Sequence, residues 1–190
     1  EDANGCFDDS PVINFETLAL PVATIGVDIT APVCSGTPFT FTAGGGVHYT
    51  FYVNNVEAQA FSLNNIFVTN ALNDGDAVHV VVSNNDNCES TSNIITVQIL
   101  DLPVITLSGN KPLACENEVV TFTASSAAAG MQYEFLVDGT VTQALSATTT
   151  FTYGAAGDFS VQVRGVDANG CEGLSNVVNV SVSQVDPTLT

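Results

Sequence analysis

An all-β fold of tandem antiparallel β-sandwiches, about seven strands to each, is predicted by three observations: strict alternation of apolar and polar residues, closely spaced turn signals, and an internal repeat. Phe39-Thr40-Phe41, Phe159-Ser160-Val161-Gln162-Val163 and Val178-Asn179-Val180-Ser181-Val182 alternate at period two, the pattern of a half-buried strand. Thr, Val, Ile, Phe and Tyr fill these runs and suit a pleated surface. Between them stand Asn54-Asn55, Asn73-Asp74-Gly75, Asp138-Gly139 and Asn169-Gly170, residues that tolerate the positive φ of tight hairpins. No stretch carries a helical period, and the Ala-rich run 125–130 reads as a loop.

The repeat sets the domain plan. Asp2-Ala3-Asn4-Gly5-Cys6, Asn84-Asn85-Asp86-Asn87-Cys88 and Asp167-Ala168-Asn169-Gly170-Cys171 each run small turn formers into a cysteine, and the cysteines lie 82 and 83 residues apart. A serine stands four residues beyond each, at Ser10, Ser92 and Ser175. A second landmark, Cys34 and Cys115, is spaced by 81 residues and opens a Phe-Thr strand in both copies. Tyr49-Thr50-Phe51-Tyr52-Val53 answers Tyr133-Glu134-Phe135-Leu136-Val137. Full repeats are therefore expected at 21–102 and 103–187, with 1–20 as the last strand and turn of a truncated preceding repeat and 188–190 beginning the next linker. A proline directly after a last strand leaves almost no free linker, so successive repeats are expected to be stiffly joined.

Charge excludes several functions. Lys111 and Arg164 are the only strong cations against twenty Asp and Glu, a formal charge of -18. A nucleic-acid partner is excluded, because phosphate binding requires Lys and Arg to displace counterions, and anionic membrane surfaces fall to the same argument of sign. No run reaches the roughly 20 apolar residues that span a bilayer, so no membrane insertion is expected.

Five cysteines remain to be explained. No two lie closer than 27 residues, against the close pairs of a zinc site, and neither His48 nor His79 neighbours one as a catalytic base would. Disulfides are expected instead, Cys34 with Cys88 and Cys115 with Cys171, because the spacings of 54 and 56 are nearly equal. Cys6 is expected to be unpaired in this chain. Disulfides imply an oxidising, extracellular or cell-surface location. The acidic turns make Asp76, Asp86, Asp158 and Asp167 candidate ligands for Ca2+, the sole cofactor considered, although the EF-hand spacing is absent. Hairpin chemistry alone accounts for the same residues. Tyr49, Phe51 and Val53 are expected to face the core and Tyr52 the other side. No catalytic residues are assigned: nucleophile elbow, phosphate loop and paired-histidine motifs are all missing.

Val33-Cys34-Ser35-Gly36-Thr37-Pro38-Phe39-Thr40-Phe41-Thr42-Ala43, the aromatic strand at Tyr49 to Val53, and the later Gly-Asp, Asn-Gly-Cys and Ser-Asn motifs resemble the tandem Ig-like and PKD-like repeats of large Bacteroidetes surface proteins. These include SprB-type gliding-motility adhesins and other type IX secretion cargo. The Trp-Asp-Phe-Gly-Asp-Gly-like motif of PKD domains is missing, so the likeness is to the Ig-like members. The resemblance implies a non-enzymatic, adhesive spacer in a cell-surface filament. Its partners would be neighbouring repeats and surface glycans or other cell-surface proteins. The alternative it leaves is an accessory, carbohydrate-binding module of a secreted multidomain hydrolase.

Overall fold

Alternation in the sequence becomes alternation of burial in a computed structural model, which describes residues 12–116 and 118–183. In the first repeat the strands are β1 (Thr24–Val27), β2 (Val33–Cys34), β3 (Phe39–Gly44), β4 (His48–Val53), β5 (Val56–Ser62), β6 (Ile66–Thr69), β7 (Ala77–Ser83), β8 (Glu89–Thr91), β9 (Ile95–Thr96) and β10 (Ile99–Leu100). In the second they are β11 (Ile105–Gly109), β12 (Leu113–Cys115), β13 (Val120–Ser126), β14 (Gln132–Val137), β15 (Thr140–Ser146), β16 (Thr150–Tyr153), β17 (Gly157–Val166), β18 (Glu172–Leu174) and β19 (Val178–Ser183).

The chain divides into two units. Of the described residues, one holds 12–29, 39–69 and 76–96; the other holds 30–38, 70–75, 97–116 and 118–183. In the second unit one sheet runs β11-β13-β16 and the other β12-β19-β17-β14-β15, with β18 also on β17. These nine strands fill seven positions, because two positions are interrupted. The first is split between the sheets as β11 and β12, and the last is broken by Ser175 into β18 and β19, both paired to β17. Pairing is antiparallel except between β12 and β19 and between β2 and β10, which are parallel. The first unit carries the matching sheets β1-β3-β6 and β5-β4-β7-β8, with β9 on β7.

Both hairpin turns that join aromatic strands adopt the left-handed conformation their residues tolerate, with Asn54 at φ 51° and Asn55 at φ 63°, and Asp138 at φ 47° and Gly139 at φ 76°. The inward faces of the two sheets then meet. In the second unit Leu107, Phe122 and Phe151 from one sheet pack with Phe135, Val161, Val163 and Val180 from the other. Phe135 has no exposed surface and stacks on Phe151 at 5.3 Å, as Phe51 stacks on Phe67 at 5.5 Å in the first unit. Tyr49 and Phe51 are buried as alternation requires, while Tyr52 is half-buried against His79 at 5.1 Å.

Candidate functional site

The cysteine-bearing turns are the part of the chain with distinctive chemistry, and their backbone explains their sequence. Asp167 N–H donates to the Cys171 carbonyl (3.0 Å) and Gly170 N–H to the Asp167 carbonyl (3.1 Å). The Asp167 carboxylate accepts from Asn169 N–H (2.8 Å) and Cys171 N–H (2.9 Å). Asn84 repeats each bond: its N–H to the Cys88 carbonyl (3.1 Å), its carbonyl from Asn87 N–H (3.2 Å), its side-chain oxygen from Asp86 (3.0 Å) and Cys88 (2.9 Å). Asn87 and Gly170 both take positive φ, 59° and 84°. An Asp or Asn must therefore open the turn, because only a short side-chain acceptor reaches those amides.

Beyond each turn the conserved spacing to serine has a structural cause. Ser175 Oγ accepts from Val163 N–H (2.9 Å) and donates to the Asn176 carbonyl (2.7 Å), closing the gap where β18 gives way to β19. Ser92 does the same with Val80 (3.1 Å) and Asn93 (2.7 Å). Asn176 then grips both polar groups of Leu107 on β11, at 2.9 Å each. The repeat register pointed to these serines, but their role needed the sheet.

The disulfide pairing departs from the expected one. Cys34 is bonded to Cys171 across 137 residues, with Cα atoms 5.5 Å apart, and Cys88 and Cys115 carry no disulfide. Strand direction is the reason. Cys115 on β12 is in register with Ser183, beside the Gly157 end of β17, while Cys171 follows the Val166 end of the same strand. Ten residues at about 3.3 Å each separate the two by roughly 30 Å, against the 7 Å or less between Cα atoms that a disulfide bridges. The expected Cys115–Cys171 bond is thus excluded, and with Cys34 already bonded the expected Cys34–Cys88 bond is excluded too. Cys6 lies outside the described residues.

What brings Cys34 to Cys171 is a short connection. Cys34 is in register with Leu100, and Ser35 N–H donates to the Leu100 carbonyl at 2.8 Å. Three residues on, Pro103 passes so close to Gly173 that a Cβ there would stand 2.2 Å from the Pro103 carbonyl oxygen. Glycine is obligatory at 173 for this reason, and it sits two residues from Cys171. Ile105 bridges in parallel to Ser175 at the same end of the unit. Cys171 is fully buried there.

The four aspartates considered for calcium are not brought together. Asp158 and Asp167 stand at opposite ends of β17, about 30 Å apart along the strand, and Asp76 and Asp86 flank opposite ends of β7. Asp76 accepts from the Asn54 side chain (2.7 Å), Asp158 from Ser181 Oγ, and Asp167 from its own turn. Among the described residues no three His, Cys, Asp or Glu side chains converge. His48 stacks on Phe61 at 4.5 Å. Arg164 pairs with Glu134 and Glu172, each at 2.8 Å, and these contacts raise its pKa further.

The Asp167 carboxyl is held below its ordinary range, first by the Cys171 N–H and then by Asn169. A depressed folded pKa contributes stability above the unfolded value, near 3.8, and that contribution is lost as pH falls through the folded value. Asp167→Asn keeps the turn, as Asn84 demonstrates, but removes the titrating charge. The difference in melting temperature between the native chain and Asp167→Asn is therefore expected to be full at pH 7 and to be lost progressively as pH falls below the unfolded value, near 3.8, and through the lower folded one, read from parallel thermal melts.

Two sheets closed on one apolar core in the second unit, with a split first strand and a final strand returning along β17, and matching sheets in the first unit, define tandem Ig-like β-sandwiches. No protein-family model and no curated protein matches the sequence. Among solved structures the chain is similar to the fibronectin(III)-like modules of Clostridium thermocellum CbhA, with 17% identity, TM-score 0.41, and coverage of 84% of this chain and 94% of that one. It is similar also to murine CEACAM1b, with 10% identity, TM-score 0.40, and coverage of 84% and 99%. A third likeness is to the three N-terminal domains of the bacteriophage RB49 highly immunogenic outer capsid protein, with 12% identity, TM-score 0.40, and coverage of 85% of this chain but 59% of that one.

Proposed function

We propose that the chain is a disulfide-stapled spacer and adhesion segment of a secreted or cell-surface repeat protein. Its partners are neighbouring repeats and surface glycans or other cell-surface proteins. The observation that carries this reading is the Cys34–Cys171 bond, which joins a segment of the first sequence repeat covalently to a turn of the second. Such a bond withholds the chain between its ends from extension under tension, which serves a spacer and does nothing for a catalyst. It also requires an oxidising compartment, which favours an extracellular location. The acidic surface, at a formal charge of -18, keeps such a chain soluble and apart from its neighbours. The sequence resemblance to the Ig-like repeats of SprB-type adhesins agrees with this reading and supplies gliding-motility filaments as its setting.

Pulling single chains from their termini tests the proposal. The oxidised chain is expected to withhold about 480 Å of contour, roughly 3.5 Å for each of the 137 residues spanned by the bond, and to release it only with reductant. An oxidised chain that extends to the reduced length would remove the basis for a stapled spacer.

A further inference from the structure

Cys115 repeats the local structure of Cys34, and Cys88 that of Cys171, so each matches one half of the junction that Cys34 and Cys171 complete. On one side, Ser35 N–H bonds the Leu100 carbonyl and Thr37 N–H the Cys34 carbonyl; correspondingly, Glu116 N–H bonds the Ser183 carbonyl (2.8 Å) and Glu118 N–H the Cys115 carbonyl (2.9 Å). Cys34 and Cys115 each end a short strand that runs parallel to the last strand of its repeat, β2 on β10 and β12 on β19. On the other side, the Asn84–Cys88 and Asp167–Cys171 turns share every backbone and side-chain bond described above. The incoming chain passes close to each turn: Asn84 Nδ2 donates to the Ala19 carbonyl (3.0 Å), two residues before Pro21, and Pro103 lies against Gly173, two residues beyond Cys171. Cys115 is exposed and Cys88 half-buried, so both thiols are accessible.

The geometry points to Cys88 and Cys115 as the open ends of a repeat-to-repeat disulfide ladder, in which each early-strand cysteine bonds the turn cysteine of the repeat that follows. Cys115 takes the Cys88- or Cys171-equivalent of a following repeat, and Cys88 takes the Cys34-equivalent of a preceding one. Each bond forms by thiol–disulfide exchange with a small disulfide such as oxidised glutathione. The two cysteine thiols lose two protons and two electrons, and the small disulfide leaves as two thiols. Because each bond spans more than one repeat, successive covalent loops overlap. Every repeat within the ladder then lies inside at least one closed loop. The inference rests on the Cys34–Cys171 bond and is independent of what the surface adheres to.

The test is a three-repeat chain, in which residues 22–102 are appended after Pro187, the repeat equivalent of Pro21 and Pro103. After oxidation with glutathione disulfide, alkylation and non-reducing peptide mapping, Cys115 is expected in one peptide pair with the appended Cys88-equivalent, beside an intact Cys34–Cys171 pair. Three of the seven cysteines should remain alkylated. Appending 104–187 instead should link Cys115 to the appended Cys171-equivalent, and Cys115→Ser should leave the appended turn cysteine alkylated in either chain. Alkylation of Cys115 in both extended chains, with Cys34–Cys171 intact, overturns the ladder and leaves the spacer reading standing. Loss of Cys34–Cys171 as well overturns both.

Discussion

Cys34→Ser and Cys171→Ser are each expected to destabilise the protein by about 5 kcal/mol, the chain-entropy value for a closed loop of 137 residues. Because both substitutions open the same loop, the double variant should be no less stable than the worse of the two. That non-additivity separates the observed pairing from bonds confined within each repeat, for which the two losses would add. Cys88→Ser and Cys115→Ser, which break no bond in this chain, should stay within about 0.5 kcal/mol of the native protein. Urea denaturation of the native protein and the five variants under non-reducing conditions measures all of this. Additive losses for Cys34→Ser and Cys171→Ser would refute the pairing.

The second large effect is expected from Phe135→Ala. The ring is wholly buried between the sheets, touches Phe151 and has neither a polar handle nor room to relax. Its removal leaves a cavity that the β-sheets on either side cannot close without losing register, so a loss of about 3–5 kcal/mol is expected. That is a large share of the total stability of a small domain. Leu145→Ala, at a strand position 37% exposed, is the control and should cost far less. The comparison is read as a shift in denaturant midpoint at constant slope. Equal shifts for the two variants would contradict the placement of the core.

Much of the architecture was legible because a strand writes itself at period two. Tyr49 and Phe51 were assigned to the core and Tyr52 to the opposite face from alternation alone, and the side chains stand there. The hairpin turns at Asn54-Asn55 and Asp138-Gly139 were legible because few residues accept positive φ at low cost. The candidate site was only half legible. Repeat spacing correctly sorted Cys34 and Cys115 into one class and Cys88 and Cys171 into another. The near-equal spacings of 54 and 56 pointed to bonds within each repeat, but bonds within a repeat and bonds to the next repeat join the same two classes, and the structure pairs Cys34 with Cys171.

The sequence by itself determined the period, the strand and turn positions and the two classes of cysteine, because these depend on local backbone preference and on counting. Only the tertiary structure decided the staple. Parallel pairing of β12 with the end of β19 carries Cys115 to one end of the sheet, and β17 carries Cys171 roughly 30 Å away to the other. A disulfide tolerates a few ångströms and no more. The turn cysteine therefore bonds outside its own early strand, to Cys34, which the three-residue step from Leu100 to Pro103 sets beside it.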